Sequence, residues 1–310
     1  MIRASTTRET YKHTTTGCAL LSQALIASED HVGDSFIASL KYLRRDPKYE
    51  REKPFSCLID LTHVSGAEQT NIVSDSFDNI VIRDGRKHAP EFDLDKTGFE
   101  LIDVGDHYPS SKFEDTEWLK QVYYPFIENL VIQRLGAKEA RVFEHQLRYR
   151  HPGYGMPFTR GALHYDPPIN QVHVDATQAA GLARFEKAWP KFSPDLLKER
   201  LRIINIWRPL VDAVKEWPLA LCDFRSVDLE KDLRATDVIT RNYIGESFAV
   251  HYSPDRLWYS ILDQRYNEGW MIKILDTKPD AAHSVVHTAI DVGRSNQARK
   301  SCEIRLMVIG

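Results

Sequence analysis

Two histidines, one aspartate and one arginine in the second half of the chain have the residue types and the order of a metal site that activates oxygen. His173 and Asp175 stand two positions apart, His287 follows much later, and Arg299 and Ser301 come after it. Two histidines and one carboxylate on one side of an iron ion leave the opposite positions open, which is the ligand set of non-haem Fe(II) oxygenases. An arginine beside a hydroxyl is suited to bind the carboxylate of a dicarboxylic acid.

Strand geometry explains the spacing of His173 and Asp175. Residues i and i+2 of a strand point to the same face, so both side chains can reach one ion. The same pattern, H-Y-D, occurs at 164–166, but two prolines follow it at once and favour a loop over the interior of a strand. We therefore predict that His173, Asp175 and His287 are the catalytic metal ligands.

Two other residues compete for the later positions in this pattern. His283 lies in a polar loop four residues before His287, so His287 is preferred. Arg305 is the alternative to Arg299, and Arg299 is preferred because Ser301 lies on the same strand face and can share a bound carboxylate. An isolated H-x-D pattern is common by chance and more often marks a surface pair or a core histidine. The occurrence of all the residue types in order carries the prediction.

The composition is that of an ordinary globular protein. The chain has 310 residues, of which 42% are hydrophobic and 27% charged, and its net charge is -3. No basic run is present, so nucleic acid is not an expected partner. The apolar stretch at 18–27 is too short to span a membrane, so we do not expect membrane association. Four separated cysteines without a C-x-x-C pair argue against a thiolate zinc site and indicate a reducing, cytoplasmic compartment.

The part of the chain before residue 140 has a mixed α/β pattern. A short helix is predicted at 19–28, and a strand at 77–83 followed by Asp84-Gly85 predicts a hairpin, because this dipeptide accepts a positive φ. Apolar residues recur at helical spacing over 117–135, with a glycine directly after them. This spacing predicts a long helix.

Short strands dominate the sequence from residue 140 onward. They are separated by Gly, Pro and Asp turns, with helical insertions predicted at 176–187 and 193–200. This pattern predicts a mostly β protein with flanking helices, built on a double-stranded β-helix (jelly roll, cupin-like). We place this catalytic core at 140–310 and an α/β N-terminal region at 1–139, packed together as one integrated domain.

Several longer segments are more specific than the H-x-D pattern, and they span roughly residues 140–305. They are VHVD (172–175), RIINIWRPL (202–210), PLALCD (218–223), YSPDRLWY (252–259), IKILDT (272–277) and HTA (287–289). In these segments the chain resembles the fungal gibberellin-desaturase-like family of Fe(II)/2-oxoglutarate-dependent oxygenases, which includes aspergillic-acid-pathway hydroxylase-desaturases. Val286 stands where that family usually has proline before the distal histidine.

The resemblance implies an Fe(II)/2-oxoglutarate-dependent dioxygenase that hydroxylates or desaturates a small natural product, with O2 consumed and succinate and CO2 formed. The implied iron ligands are His173, Asp175 and His287. Arg299 is the implied anchor for 2-oxoglutarate, with Ser301 assisting it, and Asn205 is a possible cosubstrate contact. Ascorbate is the expected reductant for assays in vitro. The resemblance implies no oligomeric state.

Two other functions stay open from the residues alone. A jelly-roll binding protein without turnover would keep the fold and would need no stoichiometric iron. A metal-dependent cupin-type enzyme that does not use 2-oxoglutarate would stay active after Arg299→Ala. The buried charges also have a structural interpretation, since Arg208 could pair with a carboxylate such as Asp223.

Overall fold

The structure is a computed structural model that describes residues 34–150, 158–160, 163–189, 193–293 and 297–310. The helix predicted at 19–28 lies outside these residues. The strands, in chain order, are β1 (Ser35–Leu43), β2 (Phe55–Cys57), β3 (Ser74–Asp84), β4 (Phe99–Asp103), β5 (Glu139–Arg150), β6 (Phe158–Arg160), β7 (Leu163–Tyr165), β8 (His173–Val174), β9 (Leu201–Pro209), β10 (Ala213–Val214), β11 (Leu219–Cys222), β12 (Leu233–Ile239), β13 (Ile244–Val250), β14 (Trp258–Ser260), β15 (Gln264–Arg265), β16 (Glu268–Asp276), β17 (His287–Ala289) and β18 (Arg299–Ile309). The α-helices are α1 (Thr116–Trp118), α2 (Tyr124–Leu135), α3 (Gln178–Ala188) and α4 (Leu229–Asp232).

Two sheets form the core of the molecule. The larger sheet has the strand order β1-β3-β14-β11-β17-β8-β13-β12-β2, and the smaller has the order β4-β16-β9-β18-β5. Every pair in the smaller sheet is antiparallel. One apolar cluster joins the sheets, because it contains Trp207 and Trp270 from the smaller sheet and Leu221 and Tyr259 from the larger one. The two sheets therefore enclose a shared interior.

A helical layer covers the outer face of the smaller sheet. α1, one π-helical turn (Leu119–Tyr123) and α2 follow one another without a break, so the helix predicted at 117–135 is present. The Asp115 side chain caps its first turn, and Gly136, with φ 59°, ends it in the left-handed conformation. The helix packs on apolar residues of β5, β9 and β18. No helix in the described part of the chain is long and apolar enough to cross a membrane.

Strand β9 is buried along its whole length. One face of it lies in the interior between the sheets and the other lies under the helical layer, which explains why apolar residues occur on both faces of the strand. The predicted pair of Arg208 with Asp223 is wrong. Arg208 donates to the backbone carbonyls of Gly105 (3.0 Å) and Tyr266 (2.8 Å), whereas Asp223 accepts from Arg225 (2.6 Å) in the turn after β11.

The hairpin predicted at Asp84-Gly85 is also wrong. β3 pairs with the preceding strand β1 and, in parallel, with the distant β14. A glycine stands at position 85 for a packing reason, because a Cβ atom there would lie 2.8 Å from the ring of Trp270. After this turn the chain enters a short 3-10 helix, Ala89–Glu91.

The structure differs from two further local predictions, the helix at 193–200 and the loop at 164–166. The helix predicted at 176–187 is present as α3, but the one predicted at 193–200 is a 3-10 helix, Pro194–Lys198. The H-Y-D segment at 164–166 is not a loop, because β7 pairs with β6 and Asp166 forms a bridge with Arg148 of β5. The prolines follow the strand and end it without preventing it.

Candidate metal centre and anion pocket

The two predicted histidines lie side by side on neighbouring strands. β17 pairs with β8 at one position, where His287 is directly opposite His173, and their ring centroids are 4.3 Å apart. Asp175 directly follows β8, and its Oδ1 lies 3.4 Å from Nε2 of His173 and 3.5 Å from Nε2 of His287. The possible ligand atoms of all three lie within 4.8 Å of one another. Among the described residues, this group of histidine, cysteine and acidic side chains alone could hold a metal ion.

Backbone carbonyls fix the orientation of both imidazole rings. Nδ1 of His173 lies 2.7 Å from the carbonyl oxygen of Gln171, and Nδ1 of His287 lies 3.0 Å from that of Val285. A carbonyl only accepts, so each Nδ1 carries a proton, and in the neutral ring Nε2 then presents a lone pair. Burial lowers the pKa of His173, which favours the neutral ring that metal binding requires, whereas at His287 the neighbouring Asp175 outweighs burial and raises the pKa. Both Nε2 atoms thus face Oδ1 of Asp175 as possible ligand atoms.

The second oxygen of Asp175 is held from the opposite sheet. Asn205 of β9 donates from Nδ2 to Oδ2 of Asp175 at 2.8 Å and lies 3.2 Å from Oε1 of Glu303. Arg305 approaches the same Oδ2 at 3.9 Å and is itself bound by Glu303 (2.7 Å) and Glu144 (2.9 Å). Asn205, predicted as a possible cosubstrate contact, therefore contacts the aspartate. Glu303 and Arg305 share one face of β18 with Arg299 and Ser301, and this alternation is the sequence signal that could have identified Glu303.

Arg299 and Ser301 form a buried polar pair without partners. Arg299 is 2% exposed, and its Nε and Nη1 have no hydrogen-bond partner in the described part of the chain, nor has Oγ of Ser301. The guanidinium lies over the ring of Trp207, 5.4 Å from its centroid. A buried cation without a counter-charge is costly, so these orphaned donors fit an anionic ligand. Arg305 is already bound to carboxylates and does not fit this role.

The competing histidine, His283, and two aromatic residues of the YSPDRLWY segment lie outside the candidate metal centre. His283 is not part of it and contacts the ring of Phe224, with centroids 4.9 Å apart. Trp258 and Tyr259 are buried in β14, where they belong to apolar clusters. The contacts of these three residues are with the apolar core and with Phe224, as expected of residues with a structural role.

The curated relatives of this chain include fungal oxygenases. The hydroxylase/desaturase efuI of Hormonema carpetanum is 29% identical over 251 residues, covering 74% of this chain and 82% of its own. The Fe(II)/2-oxoglutarate-dependent dioxygenase nvfI of Aspergillus novofumigatus is 26% identical over 235 residues, covering 73% of this chain and 81% of its own. These relatives confirm the resemblance predicted from the sequence.

A solved structure and a family profile extend the comparison. The iron and alpha-ketoglutarate-dependent endoperoxidase NvfI matches 89% of this chain and 98% of its own with a TM-score of 0.75 and 22% identity, a likeness that concerns the fold. It confirms the mostly β jelly-roll prediction. The family described as "Oxidoreductase/YMDC permease-like domain" matches residues 40–309. Because this match spans most of the sequence, the chain belongs to the oxidoreductase/YMDC permease-like domain family.

Proposed function

We propose that this protein is an Fe(II)/2-oxoglutarate-dependent dioxygenase that hydroxylates or desaturates a small natural product. The observation that carries the proposal is the combination of two neighbouring sites. Three possible metal-ligand atoms lie within 4.8 Å of one another, and in the same jelly-roll interior Nε and Nη1 of the buried Arg299 have no hydrogen-bond partner among the described residues. The printed names of the fungal relatives, a hydroxylase/desaturase and a dioxygenase, support it.

The side chains have separate tasks in this proposal. Nε2 of His173, Nε2 of His287 and Oδ1 of Asp175 bind Fe(II) from one side and leave the other positions open. Arg299 and Ser301 bind the distal carboxylate of 2-oxoglutarate and so orient the cosubstrate toward the metal. When bound, Fe(II) with 2-oxoglutarate and O2 supplies the oxidation, which yields succinate, CO2 and the oxidised substrate. The apolar walls of the interior exclude water from this reaction.

The finer parts of the proposal concern the substrate and the cell compartment. A small molecule is favoured because the chain has a net charge of -3 and no basic run that would bind nucleic acid. The cytoplasm is favoured because the described cysteines, Cys57, Cys222 and Cys302, are unpaired. Ascorbate should keep the iron reduced during turnover in vitro.

The test begins with binding and then adds oxygen. We expect anaerobic addition of Fe(II) and 2-oxoglutarate to produce a visible charge-transfer band, and admission of O2 with ascorbate to produce succinate. His173→Ala should remove both signals because it deletes a ligand. His63→Ala is the matched control, since His63 is exposed and far from the ligand set in sequence. Absence of the band in the unmodified protein would show that the cosubstrate assignment is wrong.

A further inference from the structure

Arg299 and Ser301 form the candidate anion pocket, and two more arginines lie on the adjacent strand β5. In the β18–β5 ladder, Arg148 is directly opposite Ser301, and Arg150 is directly opposite Arg299. Directly opposed residues of an antiparallel pair share one sheet face, so these side chains start from the same face as Arg299. Within the described residues, none of the three arginines forms an ion pair with a carboxylate. Three of the four residues in these two neighbouring pairs are therefore arginines on one sheet face.

This concentration of positive charge is unfavourable unless an anion is bound. Like charges on neighbouring strands destabilise a sheet. Burial first, and the charge of Arg148 second, lower the pKa of Arg299 to about 9. The negative charge of Glu303 partly offsets this lowering of the Arg299 pKa, but the Glu303 carboxylate is already bound to Arg305 and Asn205. A bound carboxylate would relieve the repulsion between the two guanidinium groups.

The surroundings distinguish Arg148 from Arg150. Arg148 donates one hydrogen bond, from Nη1 to the carbonyl oxygen of Pro167 at 2.9 Å, which holds the guanidinium while other N–H groups stay available. Arg150 instead lies over the ring of Trp217, 4.1 Å from its centroid, and the indole face engages its charge. Arg148 is also the arginine that perturbs Arg299. Arg148 is therefore the second cation of the pocket.

We propose that Arg148 binds the distal carboxylate of 2-oxoglutarate together with Arg299 and Ser301. This inference rests on the proposed function and assigns an additional residue to its cosubstrate site. Two guanidinium groups from adjacent strands would donate hydrogen bonds to one carboxylate. Their planar N–H donors would make the site selective for a dicarboxylate over a 2-oxo acid with an apolar end.

The test compares two 2-oxo acids that differ only at the distal carbon. 2-Oxopentanoate has a methyl group where 2-oxoglutarate has its distal carboxylate, and both can chelate Fe(II). Dissociation constants are measured anaerobically from the charge-transfer band for the unmodified protein, Arg148→Gln, Arg148→Lys and Arg150→Gln. Arg150→Gln is the matched control, two residues along the strand and on the same face. Thermal melting of each variant reports on folding.

We expect Arg148→Gln to weaken 2-oxoglutarate binding about 10- to 100-fold, as loss of a charge-assisted hydrogen bond implies. Its binding of 2-oxopentanoate should not change, Arg148→Lys should recover part of the affinity, and Arg150→Gln should resemble the unmodified protein. The inference is overturned if Arg148→Gln leaves 2-oxoglutarate binding unchanged, or if it weakens both acids equally, as a purely structural role would. No band from the unmodified protein with either acid would overturn the proposed function as well.

Discussion

The two carboxylate oxygens of Asp175 have different surroundings, and this difference orients the proposed metal ligand. Oδ1 faces both Nε2 atoms, whereas Oδ2 accepts the 2.8 Å hydrogen bond from Asn205. The hydrogen bond to one oxygen already fixes the carboxylate, so the other oxygen is in place for a metal. The side chain therefore loses little conformational entropy when the metal binds. The arrangement favours binding through a single oxygen.

Replacement of Asn205 by alanine should weaken metal binding. The change removes the donor to Oδ2 and frees the Asp175 side chain, and loss of such supporting groups typically costs about 10- to 100-fold in metal affinity. The measurement is competition for Fe(II) or Co(II) against a chelating dye under anaerobic conditions. Asn129→Ala is the matched control because Asn129 is exposed on α2. Equal affinities for Asn205→Ala and the unmodified protein would exclude a supporting role for this hydrogen bond.

The sequence predicted which residues lie together in the candidate site, but it did not predict the contact of Asn205 with Asp175. The i, i+2 rule grouped His173 with Asp175, and the pairing of β8 with β17 accounts for the proximity of His287. Asn205 could not be assigned in this way, because β9 and β8 belong to different sheets and only the closure of the jelly roll brings them together. Contacts across the interior have no local sequence signal.

A buried ionic cluster joins the end of β16 to the segments beside it. Lys273 and Asp276 have fully buried side chains 2.6 Å apart and form an internal ion pair. Arg200, just before β9, lies 2.5 Å from Asp276, and Lys273 lies 2.8 Å from Asp95, before β4. The cluster therefore fixes three strands of the smaller sheet at one end.

Replacement of Lys273 by methionine should destabilise this end of the sheet by about 3 kcal/mol, because removal of one partner leaves the buried carboxylate of Asp276 with less compensation. The free energy of unfolding is measured with urea at pH 7. Lys278→Met is the matched control: Lys278 also contacts Asp95, at 3.0 Å, but is half exposed, and its loss should cost less than about 1 kcal/mol. Equal effects of the two substitutions would contradict a special role for the buried pair.

The effect of Lys273→Met should also depend on pH. Burial raises the pKa of Asp276, but Arg200 and Lys273 outweigh it and hold the pKa below the usual 3.8. An acid with a depressed pKa contributes stability above its unfolded value, and the contribution is lost as the pH falls through the folded value. The difference between Lys273→Met and the unmodified protein should therefore be full at pH 7 and shrink below about pH 3.8. A difference that stays constant into that range would argue against an ionic origin.

Elements defined by local patterns were predicted more successfully than elements defined by distant partners. The helix ending at Gly136 has a cap, a helical period and a stop signal in its own sequence. The hairpin predicted at Asp84-Gly85 is absent because β3 pairs with the preceding β1 and with β14, which lies far along the chain, and not with a strand directly after the turn. No turn residue can report such a parallel pairing.

The strands before residue 140 are part of both sheets at the scale of the whole molecule. β1 and β3 lie at one edge of the larger sheet and β2 at the other, while β4 pairs with β16 in the smaller sheet. The helical layer, also before residue 140, covers the outer face of β5, β9 and β18. We therefore keep the prediction that 1–139 and 140–310 form one integrated domain.

Unfolding of the full chain in urea should be a single transition. Loss of the segment before 140 would remove one of the two neighbouring strands from each of β12, β14 and β16 and would expose the apolar face under α2. The two parts should thus lose structure together, and circular dichroism and tryptophan fluorescence should give the same midpoint, because Trp118 lies in the helical layer and Trp270 between the sheets. A fragment of residues 140–310 should show no cooperative transition, and co-expression with 1–139 should restore it. Two separate midpoints, or a fragment that unfolds cooperatively and still binds Fe(II), would mean that the jelly roll is an independent domain.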